Sequence, residues 1–434
     1  VLALIRTPGP VRRFLLASMQ SSVGNAIGYV ALLLLAYDRF HSPWAVSLVL
    51  LADFLPSIVL GPLLGALADR YSRRLLTVSA DLVRCGAFVG LAFASSFTAI
   101  LALALVAGMG SALYHPASKA ALAGLAAPHG DTAMGALVTI WSASSVVGPA
   151  LASALLLVLS PSALLLVDAA TFLISAVVLS RLALDREGSV PATTFASDAV
   201  VLPIAAGGLV QDVDAPVAHG VRAGVRAARA VNELSAVVGA GIGATLAFSL
   251  MNVAEPLLAT EELDAGGVGF ALLICLFGVG STIGTLYGRA NLRVLLASLA
   301  GGGLLLCVSA LAQSLPFAGL TFLATGLFAG AVMSSDHQLV ARLAPDAIRG
   351  RVFGLKDSLD AMAFCMAFVV GGLIASLSDS RVVFAVSGIG ALLVAALTTA
   401  LLRRTRLAAA APGYQRRGRQ TGRRAPSPRR PAGY

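Results

Sequence analysis

The chain has 434 residues, 58% of them hydrophobic and 12% charged, with a formal net charge of +10. An ordinary globular chain carries about 25% charged residues, so this one cannot cover a water-facing surface, and a soluble domain is excluded. Nor is the positive charge a nucleic-acid-binding surface, because ten of the 31 Lys and Arg residues lie after Leu402. That tail, 403–434, is rich in Pro, Gly and Arg, lacks apolar periodicity, reads as disordered, and suits an anionic cytoplasmic leaflet.

Apolar segments of roughly 20 to 28 residues, long enough to cross a bilayer, follow one another with short polar breaks. They are expected near 14–37, 43–68, 75–96, 98–122, 132–159, 162–182, 235–260, 266–289, 292–313, 315–340, 350–377 and 380–402. The first follows Arg6, Arg12 and Arg13 as a signal peptide would. It is a full span long, however, and no small-residue cleavage site precedes the next one, so it reads as the first membrane helix. The breaks sort by charge. One set holds those arginines, then Arg70, Arg73 and Arg74, Arg181 and Arg186, Arg289 and Arg293, Arg342, Arg349 and Arg351, and the tail. The alternate set has only Arg39 and Arg381 as basic residues, beside Asp38, Glu261, Glu262, Asp264 and Asp379. The positive-inside rule then puts both termini in the cytoplasm of a cell-membrane protein, and the alternation needs an even number of spans.

The expected organisation is an all-α membrane protein of twelve helices in two six-helix pseudo-symmetric halves, 1–182 and 233–402, joined by a cytoplasmic loop, 183–232. Within that loop Arg222, Arg226 and Arg229 fall on one helical face, which suits a helix resting on headgroups or one that binds a partner. The halves repeat at an offset of 219: GPLLGALADRYSRRLL from Gly61 aligns with GSTIGTLYGRANLRVL from Gly280. A repeat in matching topology implies a pseudo-two-fold axis along the membrane normal and a cavity between the halves. Cys85, Cys275, Cys307 and Cys365 lie in four different segments without metal-ligand or disulfide spacing.

The stretch Gly65-Ala-Leu-Ala-Asp69-Arg70-Tyr-Ser-Arg73-Arg74 resembles the signature loop of the major facilitator superfamily, with Ser72 where the wider family has Gly. Within it, SSVGNAIGYVALLLLAY, LLLVDAATFLISA and APDAIRGRVFGLKDSL resemble the drug- and siderophore-exporting branch that includes macrolide efflux proteins and the enterobactin exporter. The resemblance implies that Asp69 faces the N-terminus of the eleventh helix, whose dipole favours a carboxylate, and that this contact latches the cytoplasmic side. The second copy has Gly288 in place of the aspartate, so the latch is one-sided. Gly148-Pro149 in the fifth span is similar to the core of an exporter-type helix element, and is equally explained as a kink.

An ionisable residue at mid-depth costs about 2.5–3.5 kcal/mol on insertion scales and calls for a reason. Asp53 sits near the midplane without a basic residue within a turn, Asp360 has Lys356 four residues before it, Asp357 is shallower, and Glu255 shares a helical face with Asn252. The resemblance makes the first, fourth, seventh and tenth helices the cavity wall, so Asn25, Asn252 and Glu255 become lining groups. Asp81 and Arg84 are expected to pair. Asp168 is expected near the outer end of the sixth span, and His115, Lys119, Asp336 and His337 at the headgroups.

No Walker sequence, catalytic triad or metal cluster appears, so neither enzyme activity nor a cofactor is expected. The expected function is proton-coupled export of an amphipathic drug, macrolide or siderophore by a monomer whose partners are substrate, protons and lipid. A lipid or lysolipid flippase is the alternative within transport. A non-transporting receptor or scaffold is less compatible with Asp53 and an intact gating loop.

Overall fold

The computed structural model describes residues 9–126, 130–182, 184, 232–344 and 349–410, apart from the side chains at 61–63, 65–70, 130–132, 138, 142, 232, 349–351 and 404–410. The central loop with Arg222, Arg226 and Arg229, and the tail beyond Ala410, lie outside the described residues. Among the described residues the chain is helical without strands, and twelve helices are long and apolar enough to cross a membrane.

The first half comprises α1 (Pro10–Phe40), α2 (Pro43–Arg70), α3 (Arg73–Phe93), α4 (Phe97–Leu125), α5 (Gly130–Leu155) and α6 (Pro161–Ser180). The second comprises α7, α8 (Gly266–Thr285), α9 (Leu292–Ser309), α10 (Leu315–Leu343), α11 (Arg349–Leu377) and α12 (Ser380–Ala410). α7 runs as Asn232–Ser249 and Met251–Leu257 and ends in a widened turn, Leu258–Glu262, just after Pro256. α12 continues beyond the span expected to end at 402.

Short polar breaks set the helix ends. The Ser72, Ser96 and Ser160 hydroxyls accept from the backbone N–H three residues on, and Asn291 Oδ1 accepts from Arg293 N at 2.9 Å. His41, in the left-handed region at φ 45°, closes α1. An even count of spans leaves α1 and α12 with their chain ends on one face, called here the terminal side.

Helix neighbours obey the duplication. In the first half α2 packs on α4, α3 on α4 and α6, and α1 on α5 and α6; in the second α8 packs on α10, α9 on α10 and α12, and α7 on α11 and α12. The seams between halves, α5 on α8 and α2 on α11, are also equivalents under the repeat. The tightest crossing is α8 on α10. A Cβ on Gly280 or Gly284 would meet the carbonyls of Leu323 or Leu327, and one on Gly326 or Gly330 those of Phe277 or Ser281. Two G-x-x-x-G faces therefore interlock backbone to backbone, as small residues permit in lipid. The α2–α4 crossing has its own contact of this kind, Gly108 against the Asp53 carbonyl.

Candidate functional site

The halves meet on the side away from the termini. There the Tyr37 hydroxyl on α1 donates to Glu261 on α7, Ser153 Oγ on α5 donates to the Val268 carbonyl on α8 at 3.1 Å, and Gly372 on α11 packs against Ser47 and Trp44 on α2. Toward mid-depth Phe54 on α2 meets Phe364 and Phe368 on α11 edge-on or tilted, with centroids 5.1 and 5.8 Å apart, and Tyr29 on α1 lies 6.4 Å from Phe54. This aromatic plug joins the halves. Sequence periodicity had not separated its members from lipid-facing aromatics, because both recur at helical spacing.

Two of the expected carboxylates flank the plug. Asp53 is half-buried and Glu255 is 3% exposed, and Tyr29 lies within electrostatic reach of both. Among the described residues neither carboxylate has a hydrogen-bond or ion-pair partner, although the charge of Arg84 reaches Asp53. Asn252 spends its amide on the Ser249 carbonyl of its own helix at 3.0 Å.

Asp360 belongs elsewhere. Lys356, 2% exposed, bridges Asp360 and, at 2.8 Å, Asp336 of α10, while Thr245 of α7 donates to Asp360 at 3.2 Å. The second oxygen of Asp336 has no partner among the described residues, and the carboxylate lies against Gly241 of α7. This corrects the expectation that Asp336 sits at the headgroups. α10 runs on to Leu343, which sinks Asp336 about 10 Å from the helix end. His337 stays exposed and stacks on Phe353 at 6.2 Å. Asp357 is exposed.

The first half has a comparable cluster built on other helices. Arg84 pairs with Asp81 as expected, and its guanidinium lies 4.2 Å from the ring centres of both Tyr114 and Phe172. Asp168 is 0% exposed, with one oxygen unpartnered among the described residues, pressed against Gly24 and Gly28 of α1. It stands in the outer part of α6, as expected. α6 starts at Pro161, so seven residues of rise carry Asp168 about 10 Å inward.

Asn25 is exposed on the wall of a cavity of about 300 Å³ together with Arg84, His115, Trp141 and Ser144. His115 is a second correction: it meets Trp141 edge-on at 5.3 Å, about 15 Å from the end of α4, rather than lying at headgroups. Lys119 covers the same indole at 5.6 Å, and its charge reaches Asp357 on the facing half.

The exporter-type pair Gly148-Pro149 is buried in α5, where Gly148 lets α5 approach Ala26 and the Val23 carbonyl of α1. Of the gating loop, Arg73 and Arg74 open α3, while Gly65, Asp69 and Arg70 fall in the last turns of α2 rather than in a loop, with side chains outside the described residues. Among the described residues no His, Cys, Asp and Glu gather into a metal-holding group.

Residues 14–289 and 237–431 both match the family model of the Major Facilitator Superfamily, so the match spans nearly the whole chain in two overlapping stretches. The chain belongs to the Major Facilitator Superfamily. It is 23% identical over 373 residues to macrolide efflux protein A of Streptococcus pyogenes, covering 82% of this chain and 86% of that one. It is 24% identical over 414 residues to the multidrug efflux pump Tap of Mycolicibacterium fortuitum, covering 91% and 96%. A shorter match, 33% identical, joins 38% of the chain to 40% of the MFS-type transporter YfiS of Bacillus subtilis. Among solved structures, the nucleoside transporter NupG superposes with a TM-score of 0.69 at 12% identity over 91% of this chain and 99% of that one. At that identity the likeness carries the fold alone. The chain is thus a multi-pass membrane transporter of this superfamily, similar over most of its length to efflux proteins of the drug-efflux branch.

Proposed function

We propose that this transporter exports an amphipathic small molecule in exchange for protons, from a cell membrane in which both termini face the cytoplasm, without changing its cargo chemically. Glu255 carries the reading. It is 3% exposed, within electrostatic reach of Tyr29 of the facing half and so beside the aromatic plug, and among the described residues no cation pairs with it. Moving a bare carboxylate through a low-dielectric interior is costly, and moving a protonated carboxyl is far cheaper. A carboxyl group at the seam can therefore take a proton on one side and release it where the seam opens to water. A membrane potential adds about 2.3 kcal/mol per charge per 100 mV to such a cycle. The efflux relatives support export as the direction, and Asp53 and Asp360 are the next proton-carrying candidates. In the proposed cycle the Asp69 turn latches the terminal side whenever the plug side opens.

Proteoliposomes with an imposed pH gradient test this, with erythromycin and ethidium as probes. Wild-type protein is expected to move at least one probe uphill. Glu255→Gln should lose uphill movement and keep downhill exchange. Uphill transport by Glu255→Gln at the wild-type rate removes Glu255 from coupling, and failure of the wild type on both probes defeats the export reading. For orientation, cysteines placed in 183–232 or 403–434 should react with an impermeant thiol reagent only after permeabilisation.

A further inference from the structure

One crevice in the protein has no part in the seam between the halves. It lies between α9 and α12, encloses about 570 Å³, and is walled by Leu296, Ala297, Ala300, Leu392 and Ala396, with Arg403 at one end. Arg403 closes the membrane-spanning part of α12 on the terminal side, and α9 begins its span at Leu292 on that same side. Arg293 stands there too, exposed, one turn below Ala297 and two below Ala300 on one helical face.

We infer that this crevice is a binding site for an anionic phospholipid of the leaflet on the terminal side, with an acyl chain in the groove and the phosphate between Arg403 and Arg293. Three observations converge on that occupant. The first is length. From Arg403 to Leu392 the helix rises about 16 Å, half of the roughly 30 Å hydrocarbon core and so the depth of one leaflet. The second is charge. Both guanidiniums sit at the headgroup level, and neither α9 nor α12 contains an acidic residue to neutralise them. A zwitterionic headgroup would bring an ammonium against these arginines; an anionic one brings only its complement.

The third is the duplication, which supplies an internal comparison. At the offset of 219, Ala297, Ala300 and Ala396 correspond to Val78, Asp81 and Val177 of the α3–α6 pair. There the Asp81 side chain is 0% exposed and held by Arg84, so side chains occupy the space between the helices. Also, Arg403 corresponds to Leu184, which is 2% exposed. The second half has alanines where the first has that packing, and its arginines are Arg293, which matches Arg74, and Arg403, where the first half instead carries Arg181 opposite Ala400.

The test uses full-length protein in mild detergent, incubated with equimolar phosphatidylglycerol and phosphatidylcholine of matched chains, with retained lipid read by native mass spectrometry. Retention should favour phosphatidylglycerol by up to about thirtyfold, the ratio that two basic contacts near a surface give. Arg293→Gln/Arg403→Gln should bring the ratio to near one with the melting temperature kept. Ala300→Phe, which fills the groove and leaves every charge in place, should reduce retention of both lipids. Equal retention by the wild type overturns the proposal, as does a preference unchanged in the arginine double variant. Undiminished retention by a folded Ala300→Phe protein also overturns it, since the seat would then lie outside the groove. If Ala300→Phe does not fold, the arginine variant decides. No proton gradient enters the measurement, so the outcome is independent of the export reading.

Discussion

Replacing Lys356 by methionine should destabilise the protein more than any other single charge removal in the second half. Its ammonium is 2% exposed, lies 2.8 Å from Asp336 and pairs with Asp360. Methionine keeps the volume and removes the charge, leaving two carboxylates facing one another, and breaking a buried pair in this way costs about 3–5 kcal/mol. The loss is not shared evenly. The Asp360 side chain is 21% exposed and has the Thr245 hydroxyl, so water and a donor remain to it. The Asp336 side chain is 4% exposed, and its other oxygen already lacks a partner among the described residues. Lys356→Met/Asp336→Asn should therefore recover most of the lost stability, and Lys356→Met/Asp360→Asn distinctly less. Thermal unfolding of the purified variants in one detergent measures this. A Lys356→Met protein that melts with the wild type, or equal recovery by the two double variants, would refute the assignment of Lys356 as the buried counter-ion of Asp336.

Gly284→Val should cost about 1–3 kcal/mol as an overpacked contact, because its Cβ would press on the Leu327 carbonyl; a lower yield of folded protein and a lower melting temperature are the readouts, and an unchanged melt contradicts the backbone contact. Tyr37→Phe removes the α1–α7 tie to Glu261. A hydrogen bond to a charged group contributes about 1.5–3 kcal/mol, so opening on that side should rise at least about tenfold. The labelling rate of Ser47→Cys, buried at the same seam, reports it, and an unchanged rate removes Tyr37 from the closure.

Spans and duplication were legible because each is written redundantly, in some twenty apolar residues per helix and a constant offset between halves. A boundary error of a few residues leaves the twelve-helix pattern intact. The same error misplaces single ionisable groups. Asp336 read as a headgroup residue because α10 was expected to end at 340, four residues on, and it runs to Leu343. His115 lay seven residues inside even the expected end of α4, and what the sequence did not encode is its contact with Trp141. Pairs within one helix were also legible, since Asp81 with Arg84 and Lys356 with Asp360 need only helical periodicity. Pairs between helices were not. That Asp336 completes the Lys356 site, or that Lys119 covers Trp141, depends on the rotation of α10 against α11 and of α4 against α5, which no single segment encodes.

The two halves repeat their packing and not their chemistry. Each buries one cation with two nearby carboxylates, Arg84 with Asp81 and Asp168, Lys356 with Asp336 and Asp360. In the first half the groups stand on α3 and α6, behind the cavity-lining α1; in the second they stand on α10 and α11, with Thr245 of α7 at the edge. Exact symmetry would give both sides of the cavity the same polarity and the same response as the halves rock. Here the first half shows a ligand His115, Trp141 and Lys119, and the second shows His337 and Asp357. In the proposed export cycle, an amphipathic molecule entering between them would meet an aromatic, basic wall and a wall with an acidic group. That difference would orient it in the proposed cycle, and the helix neighbours shared by the two halves leave both walls free to diverge because the crossings that hold each half rest on glycine and backbone contacts elsewhere.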